Sequence, residues 1–311
     1  MNADVPQPGP LSRRRMAFAD GNMSFLAGGK EGPVVVFVHG AGLNAQTYRN
    51  LLTRLSSSAR VLAPDLRGHG ATSLPADPEE LPDWRFFAQD LISFIDAAVA
   101  PTERPLVLVG DRMGATVCLL ATGARPDFVR GLVLVEPVLY PPLVLSVIEI
   151  AQRFNLVHRL PFYETVPRRR AVWPERAPLL AALRETAPFA SLPSEALEDF
   201  MASGVLERAD GAFELACDPA WEVQTYAAQS NNVWPLLDRV QCPIDVLRAA
   251  KGSTSLRAAA WLLQMSTPET KIEQIVGASG VLPLQQPDLV QERILAMAGL
   301  QVSESPQAAL A

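Results

Sequence analysis

This chain of 311 residues has few histidines and few cysteines. Its three histidines are His39, His69 and His158, and its three cysteines are widely separated, with no CxxC pair. An odd number of distant cysteines predicts reduced thiols and argues against both a disulfide framework and a cysteine-rich zinc site. The sequence also lacks a P-loop, a GxGxxG fingerprint and an EF-hand loop, so we expect no nucleotide, metal or other cofactor.

Positive charge is also scarce, because 27 Lys and Arg residues stand against 33 Asp and Glu residues, a net charge of -6. Nucleic-acid binding relies on a surplus of basic residues, and this balance argues against it. The most hydrophobic stretch, residues 131–151, includes Glu136, Glu149 and three prolines, which a membrane-spanning helix would have to bury. The N-terminal residues have no apolar run after their charges, so no secretory signal is predicted. We therefore expect a cytoplasmic protein that binds neither nucleic acid nor membranes.

Short apolar runs alternate with stretches of helical length along most of the chain. Strands separated by helices of this length predict βαβ units and an α/β fold, with a mostly parallel sheet covered by helices on both faces. Residues 16–26 predict an antiparallel hairpin at one edge of that sheet. The runs that predict strands are 34–38, 60–63, 106–109, 132–135, 244–247 and 272–276, and the predicted helices between them are 48–55, 84–99, 115–124 and 256–265.

The alternation is interrupted by residues 138–233, which are rich in proline and contain predicted helices at 143–154 and 193–203. A segment of this length needs structure of its own, and we interpret it as an inserted helical lid of the kind that covers ligand pockets. The core then comprises residues 13–137 and 234–300. Residues 1–12 and 301–311 are polar or small, and we expect them to be flexible ends.

Four short motifs follow the predicted parallel strands in chain order. They are His39-Gly40 after the first strand, residues 65–70 (DLRGHG) after the second, residues 110–114 (GDRMG) after the third and residues 277–287 (GASGVLPLQQP) after the last. From about residue 33 to residue 295, this series resembles the lid-bearing members of the α/β-hydrolase superfamily. Their corresponding motifs are an HG oxyanion loop, a D-x-R-G-x-G turn, a G-x-S-x-G nucleophile elbow and a terminal histidine segment. The resemblance implies the α/β-hydrolase fold and, in active members, a Ser-His-Asp triad.

The nucleophile and base positions of that triad are both altered. Arg112 stands at the centre of the elbow, and a guanidinium that stays protonated cannot attack a carbonyl carbon. Gly280 stands at the position that the resemblance assigns to the base, and no histidine follows residue 158.

The acid position is altered as well. In its loop the sequence has Lys251 and Gly252 rather than a carboxylate. Glu136, at the end of the predicted strand 132–135, occupies the variant location that some family members use for their acid. The resemblance therefore implies a degenerate catalytic centre in which Glu136 is a candidate residual acid.

The altered centre keeps features that bind anions. A helix N-terminus at the elbow favours negative charge, so a fixed cation at Arg112 needs an anionic companion. One hypothesis is an ion pair with Glu136 or Asp111 that plugs the pocket; the other is a ligand carboxylate or phosphate held by Arg112 and backbone N–H groups. The candidate ligand-binding residues are His39, Gly40, Ala41, Arg112, Met113, Glu136, Ser253 and Ser279.

Three functions remain open at this point. The favoured one is non-catalytic binding of a small ligand, with anions among the candidates, or of a partner protein. The alternative is an active hydrolase of a small ester, amide, epoxide or C–C substrate that uses non-standard residues, such as a displaced Asp111 nucleophile or a relocated serine. The third is an interaction module or homodimer subunit without an open pocket.

Overall fold

The computed structural model describes residues 10–154, 156–159, 170–229, 231–267 and 269–300. Residues 1–9 and 301–311, most of the ends that we expected to be flexible, lie outside the described residues, as do residues 160–169 within the predicted lid. None of the helices in the described ranges has the length and apolar character needed to cross a bilayer.

An eight-stranded sheet organises the core, and a smaller three-stranded sheet lies within residues 138–233. In chain order the strands are β1 (Ser12–Phe18), β2 (Gly21–Gly28), β3 (Val34–Val38), β4 (Arg60–Pro64), β5 (Leu106–Asp111), β6 (Val129–Val135), β7 (Val172–Trp173), β8 (Val205–Glu207), β9 (Phe213–Leu215), β10 (Ile244–Ala249) and β11 (Thr270–Ile275). The main sheet has the order β1-β2-β4-β3-β5-β6-β10-β11. Strands β3 to β6, β10 and β11 pair in parallel, whereas β1 pairs antiparallel with β2, and β2 with β4. The predicted parallel strands and edge hairpin are thus confirmed.

Helices cover both faces of this sheet, as its buried strands require. They are α1 (Arg49–Leu55), α2 (Arg85–Ala98), α3 (Met113–Ala124), α4 (Pro142–Arg153), α5 (Arg176–Arg184), α6 (Ser194–Gly204), α7 (Pro219–Ala227), α8 (Arg257–Ser266), α9 (Leu282–Gln285) and α10 (Pro287–Met297). Alternate residues of β5 enter two separate cores: Leu106 and Leu108 pack with α2, α3 and α8, whereas Val107 and Val109 pack with α1 and α10. This two-sided burial explains why the central strands read as continuous apolar runs in the sequence.

Residues 138–233 contain helices α4 to α7 and a small antiparallel sheet of order β7-β9-β8. The sheet was not predicted, because strands of two or three residues are too short to show an alternating pattern. The segment therefore contains a small sheet in addition to helices, and its role as a lid stays a prediction.

Candidate functional site

The turn from β5 into α3 has the sharp geometry of a nucleophile elbow. Its central residue, Arg112, has a φ of 50°, in the left-handed region that non-glycine residues rarely adopt. A Cβ atom at Gly110 would lie 2.4 Å from the carbonyl oxygen of Gly114, and one at Gly114 would lie 2.2 Å from the carbonyl oxygen of Val38. Both positions therefore require glycine, and the elbow keeps its backbone although its central side chain has changed.

The Arg112 side chain forms an ion pair with its chain neighbour Asp111. Its Nε and Nη2 atoms donate to the same carboxylate oxygen, Oδ2, at 3.1 and 3.0 Å, and the Tyr48 hydroxyl donates to that oxygen at 2.6 Å. Burial acts to lower the pKa of Arg112, but attraction by Asp111 outweighs it and raises the pKa above its usual value. The group is a permanent cation, and of the two companions considered from the sequence the structure pairs it with Asp111.

The guanidinium lies over the oxyanion loop that follows β3. A Cβ atom at Gly40 would lie only 3.0 Å from Arg112 Nη2, so the lack of a side chain at Gly40 makes room for the cation. Within the described ranges, the Nη1 atom of Arg112 and the backbone N–H groups of Ala41 and Met113 make no hydrogen bond. Three donors at the elbow therefore have no protein partner among these residues.

A cavity of about 200 Å³ opens beside these donors. Of the candidate ligand-binding residues, Ala41, Arg112 and Met113 form part of its wall, whereas His39, Gly40, Glu136, Ser253 and Ser279 do not. The other wall residues come from the start of α2, from residues 138–233 and from the loop after β10, and no local sequence signal indicates that they meet. The complete wall consists of Ala41, Trp84, Arg112, Met113, Val138, Tyr226, Gln229 and Thr254.

His39 and His69 are buried hydrogen-bonding residues that link loops to each other. His39 Nδ1 donates to the Gly40 carbonyl and its Nε2 accepts from the Leu66 N–H, at 2.8 and 2.9 Å. His69 Nδ1 donates to the Arg67 carbonyl and its Nε2 accepts from the Gly42 N–H, at 2.9 and 3.1 Å. Burial lowers the pKa of His39 to about 4 and that of His69 to about 3, so both imidazoles are neutral near pH 7.

Because both ring nitrogens of each imidazole are already engaged, neither histidine is placed to act as a general base. The side chain of His158 lies outside the described residues. The structure thus gives His39, one of the candidate ligand-binding residues, a structural hydrogen-bonding position.

Glu136 is buried and holds the loop after β10 in place. Its carboxylate accepts hydrogen bonds from the backbone N–H groups of Ala249 and Thr254, the latter at 2.8 Å, and its carbonyl accepts from Thr254 Oγ1 at 2.7 Å. The described part of the structure does not contain the Arg112–Glu136 ion pair that was one of the two pairs considered from the sequence. The Glu136 carboxylate binds these backbone N–H groups instead.

The predicted serine candidates contact protein groups rather than the cavity. Ser253 Oγ donates to the Ser255 carbonyl at 3.3 Å, and Ser279 Oγ donates to Gln285 Oε1 at 3.0 Å. Asp111, the displaced nucleophile of the alternative hypothesis, is fully buried between Tyr48 and Arg112 and is not part of the cavity wall.

The sheet order, the elbow and the oxyanion loop define an α/β-hydrolase fold. Residues 35–293 match the model of the alpha/beta hydrolase family, and the chain therefore belongs to that family. A haloalkane dehalogenase of Mesorhizobium japonicum is 31% identical over 43% of this chain and 42% of that protein. The chain thus matches less than half the length of this dehalogenase.

Longer matches come from proteins of a different activity. The 2-(acetamidomethylene)succinate hydrolase of Mesorhizobium japonicum is 25% identical over 85% of this chain and 87% of its own. The crystal structure of an E-2-(acetamidomethylene)succinate hydrolase superimposes with a TM-score of 0.75 at 21% identity, covering 93% of this chain and all of that one. A thioesterase domain from the curacin biosynthetic pathway gives a TM-score of 0.73 at 20% identity, over 92% and 99% of the two chains. These structures establish the shared fold.

Proposed function

We propose that this chain is a non-catalytic member of the alpha/beta hydrolase family that binds a small anion, a carboxylate or a phosphate, in the cavity beside Arg112. The observation that carries the proposal is the guanidinium at the elbow, which borders an open cavity and keeps Nη1 free of partners among the described residues. Guanidinium groups bind carboxylate and phosphate oxygens strongly because both partners are charged and matched in shape.

Two further features support anion binding over an occluded centre. The Met113 N–H is the first of α3, and helix N-termini favour negative charge. The side chain of Arg112 remains 13% exposed, and the cavity next to it is open rather than filled by an ion pair. An open cavity is also the feature that a pure interaction module would lack.

Hydrolysis by the family's mechanism finds no support in the side chains at the site. Arg112 stands at the nucleophile position, Gly280 offers no side chain at the base position, and Lys251 and Gly252 offer no carboxylate at the acid position. Loss of any triad member costs several orders of magnitude in rate, and here three are missing. The relatives' names describe hydrolases, so activity is the outcome that the test must be able to detect.

Binding is tested by calorimetric titration with acetate and with inorganic phosphate at low ionic strength. We expect the unsubstituted protein to bind at least one of them and the double variant Asp111→Asn/Arg112→Met to bind about tenfold more weakly or not at all. The double variant removes both charges, so no buried carboxylate is left unpaired. Asp111→Asn alone keeps the cation without its partner and should bind the anion more tightly than the unsubstituted protein. Equal affinity in all three proteins would overturn the proposal.

Activity is tested with short nitrophenyl esters and with a fluorophosphonate that labels activated nucleophiles. We expect neither turnover nor stoichiometric labelling. Turnover that persists in Asp111→Asn/Arg112→Met would show a working hydrolase with a relocated nucleophile, and the non-catalytic assignment would then be wrong.

A further inference from the structure

The wall of the cavity carries one charged group among apolar and neutral polar side chains. Trp84, Met113 and Val138 supply apolar surface, and the indole N–H of Trp84 is already donated to the Thr225 carbonyl at 2.8 Å. Arg112 is the only cationic side chain among these wall residues. A ligand that matches this wall has one anionic group at the elbow and an apolar body beyond it.

Two of the neutral polar side chains of the wall, Gln229 and Thr254, hydrogen-bond to protein partners. Gln229 donates from Nε2 to the Tyr226 carbonyl at 2.7 Å and accepts from the Tyr140 hydroxyl at 3.0 Å. Thr254 donates its hydroxyl to the Glu136 carbonyl at 2.7 Å. A second carboxylate on the ligand would lose its hydration without meeting a second cation, which is costly. The neighbouring Asp111 also makes a dianion less favourable than a monoanion.

The volume sets the size of the apolar body. Apolar cavities of about 150 Å³ accept benzene. The cavity beside Arg112 measures about 200 Å³, enough for a ring of that size together with a carboxylate.

We infer that the ligand of this cavity is a small monocarboxylate with an apolar, ring-sized body, for which benzoate is the simplest probe. This inference rests on the proposed function and adds the chemical class to it. It separates this chain from a binder of succinate-like dicarboxylates, although one relative carries succinate in its name.

The test is a calorimetric titration of the full chain with benzoate, acetate, succinate, inorganic phosphate and the neutral analogue benzamide. Benzoate should bind at least about tenfold more tightly than acetate, because its ring removes more apolar surface from water. Benzoate should bind more tightly than succinate and phosphate, because the described wall offers no second cation for their additional negative charge. It should also bind more tightly than benzamide, because benzamide carries no charge to pair with Arg112.

Val138→Phe should fill the apolar part of the cavity and reduce benzoate affinity about tenfold or more. Val144→Phe, the same change at an exposed position of α4, is the matched control and should leave the affinity unchanged. Thermal unfolding of both variants establishes that they are folded.

The outcomes distinguish the two proposals. If succinate or phosphate binds as tightly as benzoate and depends on Arg112, the anion site stands and the ligand class is wrong. If benzoate binds no better than benzamide and no anion binds, both proposals fail. If benzoate binds equally well to Val138→Phe, it binds elsewhere and the inference is overturned.

Discussion

Gly280 faces Gly252 across the carboxyl end of the sheet, and a Cβ atom at Gly280 would lie 3.5 Å from the Gly252 carbonyl oxygen. These are the positions that the family resemblance assigns to the base and to the loop of its acid. Their proximity means that the scaffold brings the two loops together, with glycine at each of the two facing positions. The backbone of the two loops is therefore in place at the positions that the resemblance assigns to the base and to the acid.

The assignment of the elbow and of residue 280 can be tested by introducing a nucleophile and a base at these two positions. Asp111→Asn/Arg112→Ser/Gly280→His returns a hydroxyl to the elbow and an imidazole to the base position, and we expect slow labelling by fluorophosphonate. Asp111→Asn/Arg112→Ser, which lacks the imidazole, is the matched control and should remain unlabelled. Equal labelling of both variants would mean that Gly280 does not occupy the base position.

Arg112 and Asp111 should be strongly coupled in stability. Arg112→Met leaves the buried Asp111 carboxylate without its cation, and we expect a loss of about 3–5 kcal/mol in the free energy of unfolding. Adding Asp111→Asn should recover most of that loss, since the remaining amide can still accept from the Tyr48 hydroxyl. Urea unfolding of the two single variants and the double variant gives the coupling directly. Additive effects would show that the pair contributes nothing to folding.

The buried histidines predict a loss of stability on mild acidification. Their pKa values, about 4 for His39 and about 3 for His69, lie below the value of 6.5 in the unfolded chain. Only the unfolded chain takes up these protons as the pH falls below 6.5, so the stabilisation is complete above that pH and declines toward pH 4.

Between pH 7 and pH 5 each histidine should account for about 2 kcal/mol of the decline in unfolding free energy. Urea unfolding at both pH values measures this decline. In His39→Asn the decline between pH 7 and pH 5 should be smaller by the about 2 kcal/mol that His39 contributes. An unchanged difference in that variant would contradict the buried neutral state of His39.

Glu136 should stabilise the loop after β10 without serving as an acid. Glu136→Gln replaces a carboxylate that accepts from two backbone N–H groups by an amide with one accepting oxygen, and we expect a loss of about 1–3 kcal/mol. Glu79→Gln, at an exposed position, is the control and should change the unfolding free energy by less than about 0.5 kcal/mol. Equal effects of the two changes would argue against the loop contacts of Glu136.

Much of the core was predictable because its signals are local. Residues 34–38 form the predicted strand with unchanged bounds, since a β-branched run buried on both faces leaves no alternating pattern to misread. The elbow was predictable from Gly110 and Gly114, because only glycine fits where the backbone turns this tightly. The three-stranded sheet of residues 138–233 was missed because its strands carry no periodic signal.

The sequence by itself determined that arginine, which cannot act as a nucleophile whatever surrounds it, stands between the two glycines of the elbow. The tertiary structure alone decided that Arg112 pairs with Asp111 and that Glu136 binds the backbone at Ala249 and Thr254. It also decided which residues form the cavity wall, bringing Trp84 and Tyr226 to the elbow from distant parts of the chain. The identity of a side chain is a local property, whereas its partners depend on distances and burial that arise only when remote segments pack together.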